Sequence, residues 1–246
     1  MTIKSVTKKT FTLLLILGLT VIGVSKIKGQ EKQPWKADFR TDLYSRHLWR
    51  GDQLGSTPAI EPEITFSKGN FGFSLWGATT FDNSYTEIDF ILNYQILPFL
   101  NISFYDYYNP VSEGENKFWK FSGEEMRHSF ELTANFEKDG FPLTLLTGVF
   151  LYGDKDPLIK NERFSTYIEP GYNFKIAEKE FRLFAGFTPF KGYYAENFSF
   201  INLGATFTDS YFIGTNLEIP VKLSFITNPY TNKSWLVVAV GIKNRE

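Results

Sequence analysis

From Ala37 onward apolar and polar residues alternate with a period of two, and turn residues interrupt the alternation at regular intervals. The stretch Glu61–Gly77 is representative. Ile64 and Phe66, then Phe71, Phe73 and Leu75 after a Gly69-Asn70 break, stand on one face, while Glu63, Thr65, Ser67 and Ser74 stand on the other. The same alternation predicts strands over Ala37–Trp49, Ala59–Ser67, Phe71–Phe81, Glu87–Tyr94, Leu100–Tyr108, Ser129–Phe136, Leu143–Tyr152, Ser165–Phe174, Phe181–Thr188, Phe200–Phe207, Ile219–Thr227 and Trp235–Ile242. No helical period of any length interrupts them, and no low-complexity linker divides the chain.

The connections alternate in length. Arg50–Pro58, Asn109–His128, Gly153–Phe164 and Pro189–Ser199 are long. Lys68–Asn70, Gln95–Phe99, Glu137–Pro142 and Lys175–Glu180 are short, and Asp209–Glu218 reads as a longer exception. Long loops at one end and short turns at the other, with an even strand number of about 12, are the plan of an outer-membrane barrel. The fold expected is therefore all-β: a transmembrane antiparallel β-barrel with a lipid-facing wall and a wet lumen. A half-buried soluble sheet shows the same alternation in any single strand. About twelve such strands with this many aromatics would give a soluble sandwich an outsized core.

Composition sharpens the picture. Aromatic residues make up 18% of the chain, with 26 Phe, and many sit beside the short turns: Phe66, Phe71, Phe73, Tyr94, Phe136, Tyr172, Phe174, Phe181 and Phe207. In a barrel they would share one height and form an interfacial girdle. The formal net charge of −1 carries no polybasic footprint and argues against nucleic-acid binding. The absence of cysteine excludes disulfides, thiolate metal sites and a thiol nucleophile. At the N-terminus Lys4, Lys8 and Lys9 precede an apolar run of about 14 residues, Phe11–Val24, followed by SKIKGQ. This predicts a signal peptide over residues 1–30, cut within Ser25–Gln30, and a barrel over 31–246.

Two passages echo each other. Tyr167-Ile-Glu-Pro-Gly-Tyr-Asn-Phe-Lys175 resembles Ala59-Ile-Glu-Pro-Glu-Ile-Thr-Phe-Ser67, and Phe181-Arg-Leu-Phe-Ala-Gly186 resembles Phe73-Ser-Leu-Trp-Gly-Ala78. The shift is about 108 residues in both, which suggests two six-stranded halves.

The motif Asp42-Leu-Tyr-Ser-Arg-His-Leu-Trp-Arg-Gly51, with Pro58-Ala-Ile60, Gly72, Trp76-Gly77 and Leu223-Ser-Phe-Ile-Thr-Asn-Pro229, resembles the TorF-like family of bacterial outer-membrane barrels. The resemblance implies an outer-membrane barrel that passes small solutes. It supplies no catalytic residue. The chain departs from the habit of many such barrels by ending Gly241-Ile-Lys-Asn-Arg-Glu246 rather than on an aromatic residue.

Charges on the polar faces are the candidate chemistry, because a charge facing lipid would cost a few kcal/mol at mid-membrane. Glu61, Glu63, Glu87, Asp89, Glu131 and Glu169 are expected in the loop-side half of the lumen, with Arg46 rising to their level. Asp38, Arg40, Asp42, Arg182 and Lys222 are expected lower down. Rings of carboxylates bias permeation toward cations, while mutual salt bridges would instead plug the lumen. A barrel of about twelve strands lies between those filled by side chains and those that conduct freely. Phe118, Trp119 and Phe121 in the longest loop are candidates for a constriction, the alternative being a loop packed on the rim. His128 and Ser129 point to opposite faces, and His47 reaches Ser165 or Ser199 only through the fold. A lipid hydrolase is the lesser alternative to a channel, and a closed barrel working through its outer loops is a further one. No regular carboxylate spacing, phosphate loop or dinucleotide fingerprint is present, so no metal or cofactor is expected. The expected partners are outer-membrane lipid and small solutes that are polar or, by the collar argument, cationic.

Overall fold

The structure, a computed structural model, describes residues 33–112, 114–123, 125–154 and 163–244. The expected signal segment, residues 1–30, lies outside the described residues. In chain order the strands are β1 (Lys36–Tyr44), β2 (Leu48–Trp49), β3 (Asp52–Gln53), β4 (Ala59–Lys68), β5 (Phe71–Thr80), β6 (Thr86–Leu97), β7 (Leu100–Tyr108), β8 (His128–Phe136), β9 (Leu143–Tyr152), β10 (Thr166–Ile176), β11 (Lys179–Thr188), β12 (Ser199–Ile213), β13 (Leu217–Asn228) and β14 (Lys233–Asn244). The twelve long strands close into one antiparallel barrel, each paired with its neighbours in sequence. The seam is β1 against β14, in register from Arg40↔Lys243 to Tyr44↔Ala239. β2 and β3 form a separate two-stranded ribbon within the first long connection.

The two walls carry opposite chemistry. Outward positions such as Ile64, Leu75, Leu92, Leu132, Leu183, Phe225 and Leu236 are exposed, Leu236 at 63%. Inward positions such as Ser74, Asp89, Ser103, Glu131, Thr133, Thr144 and Asn202 are buried. A water-soluble barrel has the reverse arrangement, because apolar burial stabilises it. An apolar outer wall around a polar interior fits hydrocarbon outside.

Two differences from the expected strands have clear causes. Asp209–Glu218 is no long connection. β12 and β13 continue in register to Ile213↔Leu217 and join through Gly214, Thr215 and Asn216, with Gly214 at φ +61. The polar run Thr208-Asp209-Ser210 resembles a loop, yet its residues are held across the ladder: Asp209 by Lys179 and Ser210 by Glu218. The first expected strand stops early, at Tyr44 rather than Trp49. There Ser45 donates its backbone N–H to Val238 and the chain turns inward.

The aromatic set at the short-turn end forms a row on the outer wall. Phe174 and Phe181 stack at 5.3 Å, and Phe181 meets Phe207 at 5.2 Å. The two sequence echoes fall on β4–β5 and β10–β11.

Candidate functional site in the barrel lumen

Register decides which side chains share the interior. Glu63, Trp76, Asp89 and Tyr107 are cross-strand neighbours on β4 to β7, and all face inward. Five of the six predicted acidic positions have built partners. Glu61 accepts from His47 Nδ1 at 2.7 Å. Glu63 accepts from Thr65 at 3.4 Å. Glu87 accepts from the Tyr85 hydroxyl at 2.7 Å and from Asn109 at 3.1 Å. Glu131 accepts from Arg50 and from the Tyr107 hydroxyl at 2.6 Å. Glu169 accepts from Tyr167, from Asn202 at 2.9 Å and from Arg182 at 3.0 Å. Asp89 is 4% exposed, and its Oδ1 has no hydrogen-bond partner among the described residues.

The lower cations are also engaged. Arg40 pairs with Asp42, and Lys222 lies 3.3 Å from the Tyr44 hydroxyl and 3.9 Å from Asp42. Arg182 reaches Thr144 at 2.9 Å as well as Glu169. A small cavity of about 160 Å³ opens between Asp38, Arg40, Glu63, Thr65 and Lys243.

Arg46 does not rise into the acidic level. It is exposed, and among the described residues its side chain donates to Gln53, at 3.2 Å. Because β1 ends at Tyr44 and the chain turns there, His47 and Arg50 are the groups that point inward. The β2–β3 ribbon folds into the lumen on a two-residue turn with both φ values positive, Arg50 at 49 and Gly51 at 82. A Cβ on Gly51 would stand 1.9 Å from the carbonyl oxygen of Ile201, so only glycine allows this approach. Asn228 donates to the Gly51 carbonyl at 3.1 Å, and Trp235 Nε1 donates to Gln53 at 2.9 Å.

At the tip Arg50 forms a two-pronged bond to Glu131, at 2.5 and 2.8 Å, and donates to Tyr194. Its guanidinium lies 4.8 Å from the Trp49 ring and 4.6 Å from the Tyr167 ring. Tyr107, Phe150, Tyr167, Tyr194 and Ile201 pack around it as a buried cluster. The ribbon and the Tyr194 loop thus plug one level of the barrel. Above this level a cavity of about 410 Å³ is lined by Trp49, Tyr85, Glu87, Asn109, Asp154 and Tyr193 among others. The charged lining residues of this vestibule are Glu87, Asp154 and Arg163.

The longest loop runs elsewhere. Phe118 packs on Phe90, Tyr108 and His128, and Phe121 packs on His128 and Phe130. Those strand residues alternate with the inward Asp89, Tyr107 and Glu131, so they belong to the outer wall. The Phe118, Trp119 and Phe121 set therefore lies outside the barrel and constricts nothing. Trp119 is 83% exposed. Beneath the loop His128 bridges Asp106 at 2.8 Å and the Phe118 carbonyl at 2.6 Å. The two histidines occupy opposite faces of the wall, and Ser165 accepts from the Tyr193 backbone N–H instead of meeting either ring.

Sequence reasoning missed Arg50, Tyr107, Tyr167, Tyr194 and Asn228. A signal existed for Tyr107, since Tyr105 and Tyr107 share the inward parity of Ser103. None existed for Arg50, which becomes luminal only because the ribbon turns in.

No family model matches the chain and no curated protein matches it, so the TorF-like resemblance rests on its quoted motifs alone. Among solved structures the chain is similar to the KdgM porin, with 11% identity, TM-score 0.47, and coverage of 85% of this chain and 98% of that one. The NanC porin gives 11% identity, TM-score 0.44, and coverage of 86% and 100%. The CymD monoaromatic hydrocarbon channel gives 7% identity, TM-score 0.39, and coverage of 88% and 90%.

Proposed function

We propose that the protein is a porin-like channel of a bacterial outer membrane, exported by residues 1–30, that passes small polar solutes and favours cations. The observation that carries this reading is a closed barrel with an apolar outer wall and an interior lined by carboxylates on β4, β6, β8 and β10. Glu61, Glu63, Glu87, Asp89, Glu131 and Glu169 act as the cation-favouring set, balanced below by Arg40, Arg182 and Lys222. The β2–β3 ribbon is the gate, and conduction requires Arg50 to leave Glu131.

The test is planar-bilayer conductance of the refolded mature chain, using protein whose gel mobility shifts on heating. Discrete, cation-preferring steps that lose preference in Glu63→Gln support the reading. Silence from folded, inserted wild type and from Arg50→Ala overturns it. The filled level around Arg50 favours one second reading, a permanently closed barrel acting through its loops. That reading predicts this silence.

A further inference from the structure

Of the buried luminal polar atoms that lack partners among the described residues, two lie on either side of Trp76. Asp89 Oδ1 and His47 Nε2 both lack a hydrogen bond to any described residue. Asp89 is 4% exposed and His47 is 5% exposed. Trp76 is the direct cross-strand partner of Asp89, and its ring lies 5.9 Å from the His47 imidazole.

Their chemistry narrows the guest. His47 Nδ1 faces the Glu61 carboxylate at 2.7 Å, and a carboxylate only accepts, so Nδ1 carries the proton. In the neutral ring Nε2 then offers a lone pair. Asp89 is also an acceptor. The rest of the surroundings is committed: Glu61 to His47, Glu87 to Tyr85 and Asn109, Glu131 to Arg50 and Tyr107. A buried carboxylate with no donor is costly, and natural structures supply such groups with one. Water can donate but brings no positive charge. A guest that donates N–H bonds and carries positive charge suits Asp89, and the aromatic faces of Trp76 and Tyr107 suit a cation. Entry is at hand, because Glu87, two residues before Asp89 on the same face of β6, lines the vestibule.

We propose that Asp89, His47 and Trp76 form a luminal seat for ammonium or a small primary amine. The seat deepens the cation-favouring channel reading and rests on it for its purpose. Its test reads binding alone and needs no conduction.

The experiment is thermal unfolding of the refolded full mature chain in detergent, in chloride salts of equal ionic strength. The probes are ammonium, methylammonium, potassium and tetramethylammonium. Ammonium and methylammonium are expected to raise the unfolding temperature in a concentration-dependent way. Potassium and tetramethylammonium, which have no N–H, are expected not to. Asp89→Asn should abolish the difference between the salts, and His47→Phe should reduce it. Equal unfolding temperatures in all four salts overturn the proposal, as does an ammonium shift that survives in Asp89→Asn. Should Asp89→Asn fail to fold, the wild-type comparison of ammonium with potassium decides alone. A silent channel that still shows the ammonium shift would sink the conduction reading and keep the seat.

Discussion

The Arg50 guanidinium meets both carboxylate oxygens of Glu131 inside the barrel, and the two residues lie 81 positions apart in the chain. Glu131 is fully buried, so removing its partner leaves an uncompensated charge. Arg50→Ala should cost about 3–5 kcal/mol of stability and release the ribbon from the lumen. Urea titration would read the first effect, and larger single-channel steps than wild type would read the second. Addition of Glu131→Gln should recover part of the stability, because no charge is then stranded.

The inversion of the walls predicts a contrast between adjacent residues. Leu92 faces outward and is exposed, while Asn93 faces inward and accepts from Ser103 at 2.6 Å. Leu92→Arg should lower folding stability in bilayers by about 2–4 kcal/mol. Asn93→Arg should lose about 1 kcal/mol, the scale of one hydrogen bond. Equal effects at the two sites, measured by denaturant titration in lipid, would argue against an outer wall in hydrocarbon.

Trp119 projects from the loop packed on the outer wall. Its indole should sit at the membrane interface, where amphipathic rings are favoured. Brominated lipid should quench wild-type tryptophan fluorescence more than that of Trp119→Phe, with stability within about 0.5 kcal/mol of wild type. Identical quenching in the two proteins would place the loop away from lipid.

Asp82 ties two loops together at the long-loop end, accepting from Ser56, Thr57 and Ser84. The Ser56 hydrogen bond, followed by those from Ser84, holds its carboxyl well below the usual range. The folded form therefore binds its proton more weakly than the unfolded chain. Its contribution is present above the ordinary carboxylate value, about pH 4, and is lost as pH falls through the depressed value. Hydrogen exchange at Ser84 should stay protected through about pH 4 and fail only in stronger acid, whereas Asp82→Asn should lose protection throughout. Loss already near the ordinary value would contradict the clamp.

The barrel was legible because its cause is local. A period of two with oil on one face needs no knowledge of partners, and the parity that makes Ile64 and Phe66 outward makes Glu61 and Glu63 inward. Glycine or asparagine marked two of the four short turns read from the sequence, Lys68–Asn70 and Glu137–Pro142. The inward ribbon was not legible, since Arg50 lies in a connection and its partners come from β8 and the Tyr194 loop. Likewise nothing in Phe118-Trp119-Lys120-Phe121 says whether an apolar loop turns into a barrel or over its outer wall. The cross-strand aromatics Phe90, Tyr108 and Phe130, which receive it outside, decide that only once the strands are in register.

The anchoring of the ribbon has a consequence for the order of folding. Its bonds join residues separated by 144 positions at Arg50–Tyr194, 177 at Gly51–Asn228 and 182 at Gln53–Trp235. Contacts that close such long stretches of chain carry a large loop-closure cost and form late. Trp235 stands on β14, the strand that completes the seam with β1. The ribbon's full set of anchors therefore exists only once the last strand is in place, so the chain's first connection is locked inside the barrel by its final strand.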